Sequence, residues 1–197
     1  MSNSLQIIEK PDWISWEEIK QCLVDSHKIN RERGVFMSHY MWSPEKIKSF
    51  IGNGVVFVAI HNKRLIGTAA LKNKNSKAWY VKGTGGYLCF DSVLPEFSGR
   101  GIFNMLDSAR EERAKQMGFS VVFFDTHSKN IRRQAIAKRT GYKYVDFFRA
   151  ATNDHYSVVM AKRLDSKYRF AFYYWIRFLL AKCRTIVSAY ISSCYQL

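Results

Sequence analysis

The chain has 197 residues, 47% hydrophobic and 15% aromatic, and its 31 Lys+Arg against 16 Asp+Glu give a formal net charge of +15. That apolar content excludes a disordered chain and suits one packed domain with an extension, while the charge favours an anionic partner without choosing among nucleic acid, a charged small molecule and a membrane surface. Cys22, Cys89, Cys183 and Cys194 show no Cys-x-x-Cys spacing, which argues against a zinc site or a disulfide framework and makes reduced intracellular thiols the expectation.

In chain order, Ser4 to Glu9 reads as a strand broken by Pro11. Ser15-Trp16-Glu17-Glu18 is a capping box, and Ile19, Cys22, Leu23 and Ile29 form the buried stripe of a first helix that Gly34 ends. Residues 34–42 carry Phe36, His39, Tyr40 and Trp42, too sticky for a bare connector; a core-packed loop and a substrate wall are both open readings. Ser43-Pro44-Glu45 starts a second helix with Ile47, Phe50 and Ile51 inward. Val55 to Ile60 and Leu65 to Leu71 predict a hairpin about residues 61–64, followed by a basic, solvated loop over residues 72–77. Trp79-Tyr80-Val81 and Gly83-Thr84-Gly85-Gly86 come next, and because no helix follows these glycines they read as a bend or bulge.

The central stretch is Tyr87 to Val93, a strand that runs through Pro95 into Ser98-Gly99-Arg100-Gly101 and then into a helix carrying Ile102, Phe103, Leu106 and Ala109 as far as Gly118. Gly99 and Gly101 let the backbone approach a ligand, and the first helical turn holds no carboxylate. Such a turn suits an anion. Residues 119–125 form another strand, a short helix follows Asn130, and Tyr142 to Phe148 and Tyr156 to Ala161 complete the strands. Alternation along the central strand puts Tyr87, Cys89, Asp91 and Val93 on one face, making Asp91 and then Tyr87 the candidates for a general base, with His127 ranked below them.

From Val93 to Ile102, with Asn130 and Gly141-Tyr142 downstream, residues 1–163 resemble the GCN5-related N-acetyltransferases, the GNAT superfamily. The resemblance implies an α+β fold with a mixed sheet, β-α-α-β-β-β-α-β-α-β-β, and acetyl-CoA as acyl donor. It further implies that Ser98, Gly99, Arg100, Gly101, Ile102, Phe103, Asn104 and Asn130 hold the cofactor, and that the backbone at Val93 and Leu94 donates to the oxyanion. Ser98 replaces the family's Arg or Gln, Phe103 replaces a small residue, and Ala137 stands where a tyrosine general acid is frequent. The implied reaction is transfer to a primary amine of a small molecule such as an amino sugar, amino acid or polyamine. A non-catalytic acyl-CoA-binding module and an acetyltransferase associated with RNA or the ribosome are the alternatives, the last resting on the charge alone, since the chain shows no nucleic-acid motif of a named type and nucleic acid is not the expected partner.

Residues 164–197 form a basic extension: from Lys167 onward there are basic residues and no acidic ones. Phe172, Trp175, Ile176, Leu179, Leu180, Cys183, Ile186, Val187 and Tyr190 recur at helical steps, which predicts an amphipathic helix. Arg177, Lys182 and Arg184 interrupt the run, so it is not expected to span a bilayer. Docking on the sheet, on a second subunit or on the inner face of an anionic membrane all remain open. The opening Met-Ser-Asn-Ser-Leu-Gln resembles neither a secretion signal nor a myristoylation site, so the expected location is cytoplasmic.

Overall fold

The structure, a computed structural model, describes residues 5–35, 37–76, 81, 83–150, 155–165 and 172–194. Ser4, Phe36, Trp79, Tyr80, Lys167 and Arg169 lie outside the described residues. The chain divides into two compact units at residues 122 and 123.

The first unit carries β1 (Gln6–Glu9), α1 (Trp16–Ser26), α2 (Lys28–Glu32), a 3-10 turn at Ser38–Met41, α3 (Pro44–Ile51), β2 (Val55–His61), β3 (Arg64–Ser76), β4 (Gly83–Val93), a second 3-10 turn at Pro95–Phe97 and α4 (Ile102–Gln116). Its strands are antiparallel in the order β1-β2-β3-β4, with Gln6 opposite Ile60, Val58 opposite Thr68 and Leu71 opposite Leu88. Alternation along β2 sorts the core. Val56, Val58 and Ile60 pack with Ile19 and Leu23 of α1 and Ile47 and Ile51 of α3, whereas Phe57 and Ala59 pack with Ile102 and Leu106 of α4.

Local chemistry explains the element ends. Ser15 Oγ accepts the Glu18 N–H at 3.1 Å while Glu18 accepts the Ser15 N–H at 2.8 Å, completing the capping box. Asn62 and Lys63 both take positive φ, 51° and 61°, as a two-residue type I′ hairpin turn requires. Two expectations are corrected. The first helix stops at Ser26, where His27 leaves helical geometry (φ −104°, ψ 8°) and its ring meets the Asp91 carbonyl, and the short α2 beyond it buries no residue, Ile29 included. The basic stretch from Lys72 to Ser76 is not a loop: it continues β3 and pairs with β4 from Gly83 onward. Gly86 is then a strand residue, needed because a Cβ there would sit 2.9 Å from Leu71 and 3.1 Å from Phe119.

Strand β5 (Val121–His127) runs across the boundary, and the second unit carries the rest of it from Phe123 with α5 (Ile131–Arg139), β6 (Lys143–Arg149), β7 (Tyr156–Arg163) and α6 (Phe172–Cys194). Its strand order is β5-β7-β6, with β6 and β7 antiparallel from Lys143 opposite Ala161 to Arg149 opposite Tyr156. The predicted C-terminal helix is therefore present and belongs to this unit, packed on β6. No helix among the described residues is long and apolar enough to cross a membrane.

Candidate active site

The end of β4 is irregular where the chemistry is expected. Phe90 has φ 55°, and the ladder with β3 slips between Thr68, opposite Ser92, and Ala70, opposite Cys89. Phenylalanine rarely takes that conformation, and it is held here by side chains gripping the carbonyls of the bulge. Arg110 donates to the Cys89 carbonyl at 3.4 Å, Thr68 to that of Phe90 at 2.9 Å, and His27 Nε2–H to that of Asp91 at 2.8 Å. The tautomer of His27 follows from its other nitrogen, which accepts from the Asn30 amide at 3.0 Å.

The bulge breaks the expected alternation. Tyr87 lies on the α3 side, its ring 6.5 Å from that of Phe50, and Cys89 and Phe90 pack into the α1/α3 core. Asp91 instead turns toward α4 and is ion-paired with Arg110, which also holds Asp107. The two candidate bases thus lie on opposite faces of the strand. The Asp91 carboxylate is engaged by the buried guanidinium that also holds the Cys89 carbonyl of the bulge.

Below the bulge the ladder sorts the backbone donors. Leu94, expected with Val93 to donate to an oxyanion, has its N–H occupied by the Ile66 carbonyl at 2.8 Å. Gly67 and Val93 are consequently a non-hydrogen-bonded pair, and the Val93 N–H points away from β3.

The glycine turn follows. Gly99 and Gly101 take φ 80° and 77°, and a Cβ at either would meet nothing within 4 Å. Gly101 is the N-cap of α4; no side chain caps the helix and no acid occupies its first turn. Ile102 buries its side chain against Leu94 and Leu106, so its contribution to a ligand is its N–H. Ser98, Arg100 and Asn104 are exposed beside the turn, Phe103 is half-buried, and the Arg100 guanidinium rests 5.2 Å from the Phe97 ring centre. Open space, unopposed helix dipole and an adjacent cation fit a diphosphate.

Asn130, in the second unit, uses its carboxamide internally, accepting the Arg133 N–H at 3.3 Å and donating to Thr126 Oγ1 at 3.2 Å as the N-cap of α5. Ala137 on the same helix is fully buried. His127 accepts the Lys129 N–H at 3.0 Å and stacks on His155 at 4.4 Å, a structural place for that ring.

The aromatic segment of residues 37–42 folds onto β4. His39 lies 5.4 Å from Phe90, Trp42 lies 5.0 Å from Phe50, and Tyr40 is buried. Cations cover this wall: Lys46 over Trp42 at 4.9 Å, Lys72 over Phe50 at 4.0 Å, Lys74 over Tyr87 at 4.2 Å and Arg31 over Tyr40 at 5.5 Å. Nothing in the sequence marks His27, which the expected first helix runs through, and His39 stands out only as part of the aromatic segment.

Burial holds both histidines neutral. It lowers the pKa of His27 despite the Asp91 carbonyl, and with His27 close by it pushes His39 down to about 3. The unfolded chain therefore takes up these protons first as pH falls below about 6.5. Stability present above that pH is expected to drop toward pH 3 with a slope of up to about 1.4 kcal/mol per pH unit from His39. Urea unfolding as a function of pH should show this slope, and His39→Phe should flatten it.

Comparison with known proteins agrees with the geometry. A model of the Acetyltransferase (GNAT) family matches residues 16–142. Among solved structures, the ribosomal-protein-S18-alanine N-acetyltransferase from Escherichia coli is 13% identical with a TM-score of 0.62, covering 86% of this chain and 99% of that one. The IAA acetyltransferase from Bacillus cereus is 18% identical with a TM-score of 0.60, covering 81% and 99%. An N-acetyltransferase from Staphylococcus aureus is 17% identical with a TM-score of 0.61, covering 82% and 98%. No match was found among curated protein sequences. These structures share the mixed α+β fold, and with the family model spanning most of the chain and the uncapped turn at Gly101 inside that span, this protein belongs to the GNAT family of acetyltransferases.

Proposed function

We propose that residues 1–163 transfer an acetyl group from acetyl-CoA to the primary amine of a small molecule that also bears an acidic group, such as an amino acid or an acidic amino sugar, and that the reaction takes place in the cytoplasm. The uncapped N-terminus of α4, opened by Gly99 and Gly101, is the observation that carries this reading. Acetyl-CoA brings the thioester whose carbonyl carbon an amine attacks.

The chain's own residues have separable tasks. The N–H groups of Ile102, Phe103 and Asn104 bind the diphosphate, with Ser98 and Arg100 beside them. The Val93 N–H stabilises the oxygen that becomes negative in the transition state. Asp91 and Asn130 act through the backbone, one fixing the bulge with Arg110 and the other starting α5. Tyr87, on the face that carries the aromatic wall, moves the proton, through water. The cations over that wall favour an acceptor with a negative group and disfavour a polyamine.

Release of CoA thiol with a panel of amines tests this reading. Acid-bearing amines should show higher kcat/KM than spermidine, and Tyr87→Phe should lower kcat about 100-fold with acetyl-CoA affinity unchanged. A preference for spermidine would overturn the acceptor assignment, and an unchanged kcat in Tyr87→Phe would remove that residue from proton transfer.

A further inference from the structure

Helix α6 meets its own unit by its narrower face. Phe178 stacks on Tyr144 at 4.9 Å and lies edge-on to Phe147 at 6.4 Å, and the Thr185 hydroxyl is shared between the Ala181 carbonyl of its own helix at 2.9 Å and the Phe147 carbonyl at 3.1 Å. At 3.6 residues per turn Phe178 and Thr185 lie within about 20° of one another on the helix. The broad apolar stripe of Trp175, Ile176, Leu179, Leu180, Ile186 and Val187 turns away from β6 over most of its width and is partly exposed, from 36% at Leu179 to 64% at Leu180. The stripe spans about 140° of the helix surface, bordered by Arg177 and Arg184 along one edge and by Lys182 along the other, where the ammonium lies 5.9 Å from the Phe147 ring centre of its own unit. All three cations are exposed, and the helix contains no acidic residue.

We propose that this face of α6 seats on an anionic membrane surface, with the helix lying in the plane of the interface. An apolar stripe with cations along both edges is the distribution such a surface selects. The stripe enters the acyl boundary, and the long basic side chains reach back to the headgroups. Charge decides against a second copy of this chain. A two-fold pairing through α6 would bring Arg177, Lys182 and Arg184 of each copy toward the same set on the other, with no acid on the helix to answer them. Because α6 is held to β6 by Phe178 and Thr185, the stripe is already formed, and binding need not order the helix.

Co-sedimentation of the full chain with vesicles of equal parts phosphatidylglycerol and phosphatidylcholine, against phosphatidylcholine alone, tests the proposal. Binding is expected to the anionic vesicles only, and to weaken as salt is raised. Arg177→Gln with Arg184→Gln should reduce the partition about 30-fold, since each headgroup-level cation is worth roughly five-fold. Leu180→Glu should abolish it, and neither change should alter acetyl-CoA affinity. Failure to bind anionic vesicles at low salt would overturn the proposal, as would a concentration-dependent dimer dissolved by Leu180→Glu in a protein that ignores vesicles. Equal binding to both vesicle types would overturn the electrostatic part.

Discussion

Replacing Arg110 by methionine is expected to lower folding stability by about 3–5 kcal/mol, read as a shift of the urea midpoint. Arg110 is fully buried on α4 and answers two carboxylates, Asp91 and Asp107, while also donating to the carbonyls of Ala70 and Cys89. Methionine fills similar volume but leaves the buried Asp107 and the mostly buried Asp91 without this cation, with little or no water to replace it. Arg110→Lys should fall between, because an ammonium keeps the charge but cannot present a fork to two acids and two carbonyls. Adding Asp91→Asn and Asp107→Asn to Arg110→Met should recover part of the loss, since the cost lies in uncompensated charge. The bulge at Phe90 loses one of its three side-chain anchors in all these variants, so any active remainder should also show impaired transfer.

Asn104→Glu should have the largest effect on acetyl-CoA binding with the least disturbance of the fold. Asn104 is exposed and occupies the third position of α4, where glutamate is favourable to the helix by about 0.3–1 kcal/mol. The same carboxylate would face a bound diphosphate. Two like-charge interactions at roughly 6 Å amount to about 1.4 kcal/mol in bulk water and about 5.5 kcal/mol at an effective dielectric of about 20, so at this exposed position a cost of about 2–4 kcal/mol is expected. That corresponds to a loss of affinity of about 30- to 1000-fold. The variant should melt at or above the wild-type temperature, separating a binding defect from a folding defect.

Much of this architecture is legible in the residues because it is set by local chemistry. The capping box at Ser15, the Ser43-Pro44 helix start and the uncapped Gly101 each act within one turn of the chain, and the structure realises all three. The bulge at Phe90 was not legible. A positive φ is normally announced by glycine or asparagine, and here it is imposed on phenylalanine by Thr68, His27 and Arg110, residues 22, 63 and 20 positions away in sequence. That slip moves Asp91 to the α4 side and leaves Tyr87 on the other, which no count of alternating residues could show. The glycines at 83–86 misled for a related reason: Gly86 is excluded from carrying a side chain by Leu71, Phe119 and Val122 across the sheet, and not by a turn. In α6 the periodicity was plain, but Phe178 and Thr185 outcompete the wider stripe for β6, a choice made by tertiary fit.

Isothermal titration of acetyl-CoA into the wild-type chain and into Asn104→Glu is the most direct test that the N-terminus of α4 holds the donor's diphosphate. Saturable binding to the wild type is expected, with a loss of at least about 30-fold in a variant that stays folded. Equal affinity in the two proteins would contradict it, and would move the donor's phosphates away from Gly101.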